Sequence, residues 1–309
     1  MNHEVPGLTG TVEVLLSTFN GERYLAEQLE SLWAQDYKDL TLSVRDDGSS
    51  DSTPELLGEL GAGHDSARFV EGPHLGAGKS FLELLRHVSP NAEYAAFCDQ
   101  DDVWLPGKLS TAVAALDCVD GPALYCSAVQ LVREDLTPVR VHRRCVRGPS
   151  FENALVENVA TGCTIVLNRP AIDLLASRSP EHFVMHDAWC YLVVSGCGRV
   201  IYDPTPWALY RLHGSNTMGV GETPMAEWLG RARRMLAKNS GPSFRRQAEE
   251  LEKLYAGKLS PRATQTLELF LTSLSSFSRR AWYAIKGAVH RQHWPDDLLF
   301  RIMYVSGRF

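Results

Sequence analysis

The stretch VEVLLSTFNGERYLAEQLESLWAQ, residues 12–35, changes period halfway along. Residues 12–18 form a short apolar run that suits a buried strand. Beyond it, Tyr24, Leu25, Leu29, Leu32 and Trp33 fall near helical spacing. The same switch then recurs down the chain. LTLSVRDD (40–47) reads as a strand and STPELLGEL (52–60) as a short helix. ARFVEG (67–72) reads as a third strand and KSFLELLRHV (79–88) as a helix. YAAFCDQDD (94–102) is a fourth strand and GKLSTAVAALD (107–117) is helical again. This alternation predicts an α/β fold, with a mostly parallel central sheet flanked by helices. In such sheets ligands bind outside the carboxyl ends of the strands. Two acidic clusters, RDDGSSD and DQDD, fall at those ends.

Composition bounds what the fold can serve. The 309 residues are 44% apolar and 22% charged, ordinary for a soluble globular protein. No apolar run approaches the ~20 residues of a membrane-spanning helix. The N-terminal MNHEVPGLTG has no apolar h-region, so no secretory signal is expected and the cytoplasm is the default. Seven cysteines without a CxxC pair read as buried small hydrophobes in a reducing compartment. The net charge of −6 hides an asymmetry. Residues 225–309 hold 15 Lys and Arg against 7 Asp and Glu, a balance of +8 that leaves −14 on residues 1–224. The sequence therefore divides into an acidic body, residues 1–220, and a basic, helical C-terminal extension, residues 221–309. Breaks in the extension fall at SGPS (240–243), SP (260–261) and Pro295. Its basic residues either face solvent or face anionic lipid. Arg279, Arg280, Trp282, Tyr283, Lys286 and Arg291 mix cations and aromatics as interfacial helices do; the alternative is an extension that packs on the catalytic domain or on a second subunit.

The motifs carry the chemistry. STFNGERYL follows the first strand, where a turn containing Asn20 can offer backbone N–H groups to a ligand; by itself it is as readily a plain turn. In RDDGSSDST, a helix N-cap at Ser52 or Thr53 before Pro54 explains the end of the motif. It does not explain Asp46 beside Asp47, which repel unless solvent or a ligand compensates. EGPHLGAGKSF imitates a phosphate-binding P-loop, but that pattern needs Gly where Pro73 stands. Lys79 can still reach a phosphate from a helix N-terminus. DQDD has the D-x-D spacing, and residues two apart on an extended segment point the same way. Asp99 and Asp101 would then offer hard oxygen ligands to Mg²⁺ or Mn²⁺. In FVMHDAW, Asp187 suits a lone general base, or His186 is a satisfied histidine. His213 of YRLHGSN, in a strand-to-loop setting, would accept Mn²⁺ more readily than Mg²⁺.

In order, these elements resemble family 2 glycosyltransferases, inverting enzymes with the GT-A nucleotide-sugar-binding fold. VLLSTFNGERYLAEQLESLWAQ, VRDDGSSDST, LGAGKSFLELL, FCDQDDVWLPGKL, TGCTIVLNR, HDAWCYLV and YRLHGSN match over residues 11–216, two thirds of the chain. DQDDVW and YRLHGSN are similar to bacterial rhamnosyltransferase-like members that build surface polysaccharides. The resemblance implies roles position by position. Ser17 and Asp47 contact the base of the donor, supported by Asn20 and Asp46. Asp99 binds ribose, Asp101 ligates the metal on the diphosphate, and Asp102 supports that loop. Asp187 is the general base and His213 completes the metal site. Thr161, Gly162 and Cys163, with His186 beside them, line the acceptor side.

The activity implied is transfer from a UDP- or dTDP-linked sugar to a hydroxyl on a lipid-linked or polysaccharide glycan. Processive members carry QxxRW and membrane helices. This chain has RRAW at 279–282 without the preceding pattern, so a single addition is expected, on the cytoplasmic side and peripheral to the membrane. Nothing calls for a nucleic acid, and a homo-oligomer is compatible with the sequence. Two other readings use the same carboxylates: a metal-dependent nucleotide-sugar hydrolase and a non-catalytic glycan- or nucleotide-binding module.

Overall fold

A computed structural model describes residues 8–61, 66–142, 144–213 and 244–307, together with positions 223, 229, 230 and 233. The expected boundary at 220, and Gly214 to Asn216 of the last motif, lie outside the described residues.

Four strands alternate with helices as the periodicity implies. They are β1 (Thr11–Thr18), β2 (Leu40–Asp46), β3 (Ala67–Glu71) and β4 (Ala92–Asp99), with α1 (Leu25–Trp33), α2 (Thr53–Gly61) and α3 (Ala77–Arg86) between them. They lie side by side as β3-β2-β1-β4, all parallel. The parity of β1 sets its two faces. Val12, Val14 and Leu16 pack with Leu25, Leu29 and Leu32 of α1, while Leu15 packs with Phe81, Leu84 and Leu85 of α3. A strand covered on both faces reads as a nearly continuous apolar run.

The second half of the sheet is built differently. After β4 come β5 (Val103–Trp104), α4 (Lys108–Asp117), β6 (Ala123–Val132) and β7 (Pro138–His142). Then follow α5 (Phe151–Ala154), a 3₁₀ turn (Gly162–Thr164), β8 (Val166–Asn168), α6 (Arg169–Ala176), α7 (His186–Cys197) and β9 (Arg199–Arg211). The short β8 runs antiparallel between β4 and β6, whereas β6 and β9 are parallel and β5 adds antiparallel to β9. β9, RVIYDPTPWALYR, is one strand of 13 residues. Its pairing with β6 shifts register around Asp203 to Pro206, because Pro204 and Pro206 cannot donate ladder hydrogen bonds.

The C-terminal extension contains α8 (Phe244–Tyr255), α9 (Pro261–Ser273), α10 (Phe277–Lys286) and α11 (Trp294–Ser306). Ser260 caps α9 by accepting from the Ala263 N–H, at the expected SP break, and Pro295 stands at the start of α11. Ser276 caps α10 by accepting from the Arg279 N–H, at a boundary that the sequence reading did not mark, and SGPS lies outside the described residues. Leu251, Tyr255, Leu267, Phe270, Tyr283, Phe300 and Tyr304 share one core with Phe81, Phe97 and Trp189 of the body. Each large apolar side chain so buried contributes about 1.5–3 kcal/mol, which fastens the extension to the body. Tyr283 is therefore a core residue and not an interfacial one. Arg280 likewise turns inward, donating to the carbonyls of Val305 and Leu274. The cysteines also depart from expectation: all seven thiols are free, but Cys118 is exposed and Cys145 and Cys197 are half-buried. No helix among the described residues is long and apolar enough to cross a membrane.

Candidate active site

β4 ends at Asp99, and Gln100 and Asp101 form a turn before β5. The D-x-D pair is therefore not on one extended segment, and the two carboxylates are not set by strand parity. The turn instead brings Asp99 and Asp102 together with Cys163, their ligand atoms all within 4.8 Å of one another. Asp101 points to His213, with Oδ2 and Nε2 2.7 Å apart. That bond, against partial burial, raises the pKa of the imidazole. Asp102 is buried, accepts from the Arg211 N–H at 3.3 Å through Oδ1, and has the Cys163 thiol beside it. Its Oδ2 is buried and finds no N–H or O–H donor. Burial, and then the charge of Asp101, push the Asp102 carboxyl up to about 7. Asp99 is raised too, by burial and then by Asp102, Asp101 and Asp187. Such crowding is unfavourable unless a proton or a cation relieves it.

The DD pair on β2 is compensated by the protein itself. Asp46 accepts from the Ser49 N–H at 2.8 Å and the Ser49 hydroxyl at 2.5 Å. Asp47 accepts from the N–H groups of Leu75 (2.9 Å) and Gly76 (2.7 Å) and pairs with the buried Arg45. Burial opposes the Asp47 charge, yet these partners hold its carboxyl below the usual range. The loop that mimics a P-loop thus supplies Asp47 with hydrogen bonds. Ser17 donates to Ser80 at 2.7 Å. Asn20, at φ 49°, accepts from the Ser50 N–H at 2.9 Å and ties the first loop to the second. Lys79 is exposed, in a groove with Leu82, Arg178 and Phe183.

Asp187 lies in the first turn of α7, buried, with Oδ1 accepting from the Ala188 N–H at 2.7 Å. Burial raises its pKa against the opposing effects of Arg144, the Ala188 N–H and the Asn158 side chain. A carboxyl of this kind suits a general base, because its basicity is lifted toward neutral pH. His186 stacks on Phe81 at 4.1 Å and meets Phe97 edge-on. Neither ring nitrogen has a hydrogen-bond partner, and burial lowers its pKa to about 3. Gly162 lies against it: a Cβ there would come within 3.0 Å of His186 Nε2. Thr161 and Cys163 are buried, and Cys163 faces the acid cluster.

Three residues of the site have no role in the sequence reading. Gln100 Oε1 accepts from the Thr18 hydroxyl (2.6 Å) and the Phe19 N–H (2.8 Å), and its Nε2 donates to the Phe19 carbonyl at 3.1 Å. Arg211, almost wholly buried, donates to the Asp101 carbonyl at 3.0 Å, to Glu27 and to the Glu134 carbonyl. It holds the acidic turn in place. Lys108 is fully buried over the Trp104 ring, 3.2 Å from its centroid, and its Nζ finds no hydrogen-bond partner. Burial lowers its pKa to about 7, against the pull of Cys163, Cys98 and Asp102. Only Arg211 leaves a trace in the sequence, as a cation within the apolar run of β9.

A sheet that gathers carboxylates at its carboxyl ends, with a buried carboxylate and an imidazole converging on them, defines an α/β enzyme working in that crevice. The model for glycosyl transferase family 2 matches residues 13–170, just over half the chain, and the chain belongs to that family. The dTDP-rhamnosyl transferase RfbG of Shigella flexneri is 26% identical over 216 residues, 66% of this chain and 73% of the relative. Among solved structures, S. aureus TarS 1-349 in complex with UDP-GlcNAc has a TM-score of 0.58 at 16% identity. It covers 96% of this chain and 81% of its own. The mannosyltransferase PcManGT of Pyrobaculum calidifontis, in complex with GDP-Man and Mn²⁺, has a TM-score of 0.55 at 17% identity. It covers 97% and 86%. The fold is that of the GT-A glycosyltransferases, and the protein is a family 2 glycosyltransferase.

Proposed function

We propose that the chain is an inverting glycosyltransferase that moves one sugar from a UDP- or dTDP-linked donor to a hydroxyl of a lipid-linked or polysaccharide glycan. One observation carries this reading: Asp99 and Asp102 gather with Cys163 at the strand ends, Asp101 of the same turn pairs with His213, and Asp187 is close enough to raise Asp99. The relatives support the donor class, since the named neighbours are complexed with UDP-GlcNAc and GDP-Man and the named relative is a dTDP-rhamnosyl transferase.

Ser17, Asn20, Asp46 and Asp47 form the base-side pocket, where the Asp47 carboxylate is already fixed by Arg45 and two N–H groups. Asp99 faces the ribose. Lys79 stands at the start of α3 for the diphosphate. The residues present also fit a divalent cation. Carboxylate oxygens and an imidazole are ligands that Mn²⁺ or Mg²⁺ accepts; Asp101 pairs with His213, and beside them Asp102 Oδ2 is a buried oxygen that no N–H or O–H reaches. Asp101 and His213 would hold the cation, and Asp102 would support the turn. Once bound, the cation supplies charge neutralisation for the departing diphosphate. Asp187 accepts the proton of the acceptor hydroxyl as the new bond forms, contributing about 10²–10⁴-fold. Attack opposite the leaving group inverts the anomeric centre. Thr161, Gly162, Cys163 and His186 form the acceptor side. Residues 1–220 carry the reaction and 221–309 are the extension, with the enzyme on the cytoplasmic face of the membrane.

The test incubates the full chain with labelled nucleotide sugars, with and without Mn²⁺, and a glycan acceptor. Product configuration is read by NMR. Acceptor-dependent transfer with inversion is expected. Free sugar released at one rate with or without acceptor would identify a hydrolase and overturn the proposal.

A further inference from the structure

Helices α10 and α11 form a hairpin whose inner faces are held in the core by Tyr283, Phe300 and Tyr304. Their outer faces are apolar. Phe277, Trp282 and Ile285 on α10, and Trp294, Leu298 and Ile302 on α11, are all exposed, Ile285 at 77% and Trp294 at 71%. The α11 trio recurs every fourth residue, a stripe about 12 Å long. Six large apolar side chains on one hairpin are more than the scattered exposure of an ordinary surface, and such patches mark interaction sites.

Charge selects the partner. Arg279 and Lys286 are exposed on α10. The only acids in residues 277–307 are Asp296, which is buried, and Asp297, which pairs with Arg301 at 3.0 Å. A surface of tryptophan, aliphatic side chains and cations without exposed carboxylates is complementary to an anionic bilayer. The hairpin is also fixed to the body. Gln292 Oε1 accepts from the N–H groups of Val146 (2.8 Å) and Arg147 (2.7 Å), and the Gln292 N–H donates to Glu157 at 2.7 Å. Residue 158, next along, is the asparagine that bonds Asp187.

We propose that the outer face of the α10–α11 hairpin is a membrane-docking surface, seating Trp282, Ile285, Trp294, Leu298 and Ile302 in the headgroup region of an anionic bilayer. This rests on the membrane placement proposed above, and flotation tests it apart from the transfer reaction. The full chain is floated with phosphatidylcholine vesicles, with and without phosphatidylglycerol. The wild type is expected to float with the anionic vesicles, and less well at high salt. Serine at Trp282 and Ile285, or at Trp294, Leu298 and Ile302, should lower the partition at least about tenfold. The melting temperature and the transfer to a soluble acceptor should be unchanged. R279E/K286E should lose the preference for phosphatidylglycerol. The proposal is overturned if the wild type does not float, or if the serine variants float like it. It is also overturned if the lipid-free chain is a dimer that those variants dissociate, because a second copy would then cover this face.

Discussion

His213 Nε2 lies 2.7 Å from Asp101 Oδ2, although 112 positions separate them in the chain. If the two residues share a cation, they act as a unit. Asp101→Asn and His213→Ala should each weaken Mn²⁺ binding about 10–100-fold, read as loss of the Mn²⁺-dependent rise in melting temperature. The double variant should cost little more than either single one. Fully additive losses would mean that the two residues contribute separately.

Asp187→Asn keeps the shape of the site and removes its base. The turnover number should fall about 10²–10⁴-fold with the donor KM little changed. Initial rates and donor binding, measured side by side, separate the two effects. Wild-type turnover in this variant would remove Asp187 from the mechanism.

Gln100 makes three hydrogen bonds to Thr18 and Phe19, so Gln100→Ala leaves the Phe19 N–H and carbonyl without their partners. The expected loss of stability is about 1–3 kcal/mol, together with a higher donor KM, because the loop carrying Asn20 is no longer pinned. Chemical denaturation and donor saturation curves check both.

His186 gives a pH dependence of definite sign. Burial lowers its pKa from 6.5 to about 3, so the unfolded chain takes up a proton that the folded chain refuses. Stability from this group is present above pH 6.5 and is lost as pH falls toward 3. Between pH 7 and 5 the loss is about 2 kcal/mol. His186→Phe, in a slot already lined by Phe81 and Phe97, should flatten that slope. Denaturation midpoints of the two proteins at several pH values test it; parallel curves would show that His186 is protonated in the folded state.

Much of this arrangement was legible in the sequence because β1, β2 and β4 are buried on both faces, and such strands leave apolar runs broken only by the helices between them; β3, an exposed strand at the sheet edge, shows only as the short run ARFVE. The placement of both acidic clusters at strand ends followed from that alone. What stayed hidden depends on contacts distant in sequence. The three residues of β8 carry too few positions to reveal that the strand enters antiparallel between β4 and β6. The D-x-D spacing fits a strand as well as a turn, and only the turn brings Asp102 to Cys163. Tyr283 could be placed on a membrane face because its helix is basic and aromatic; the core that claims it comes from Phe270 and Tyr304. The roles of Gln100 and Lys108 rest on partners that no local pattern encodes.

The register of β9 also has a consequence for biosynthesis. Arg211 and His213 meet the acidic turn only after β9 has paired along β6. A ribosome adds about 5–20 residues per second, so Asp99, Asp101 and Asp102 emerge well before their basic partners do. During that interval the nascent chain carries a cluster of carboxylates with no cationic counterpart from β9. The binding site is therefore among the last features of the body to mature, and a chain that stalls before residue 211 would have most of the sheet but no working centre.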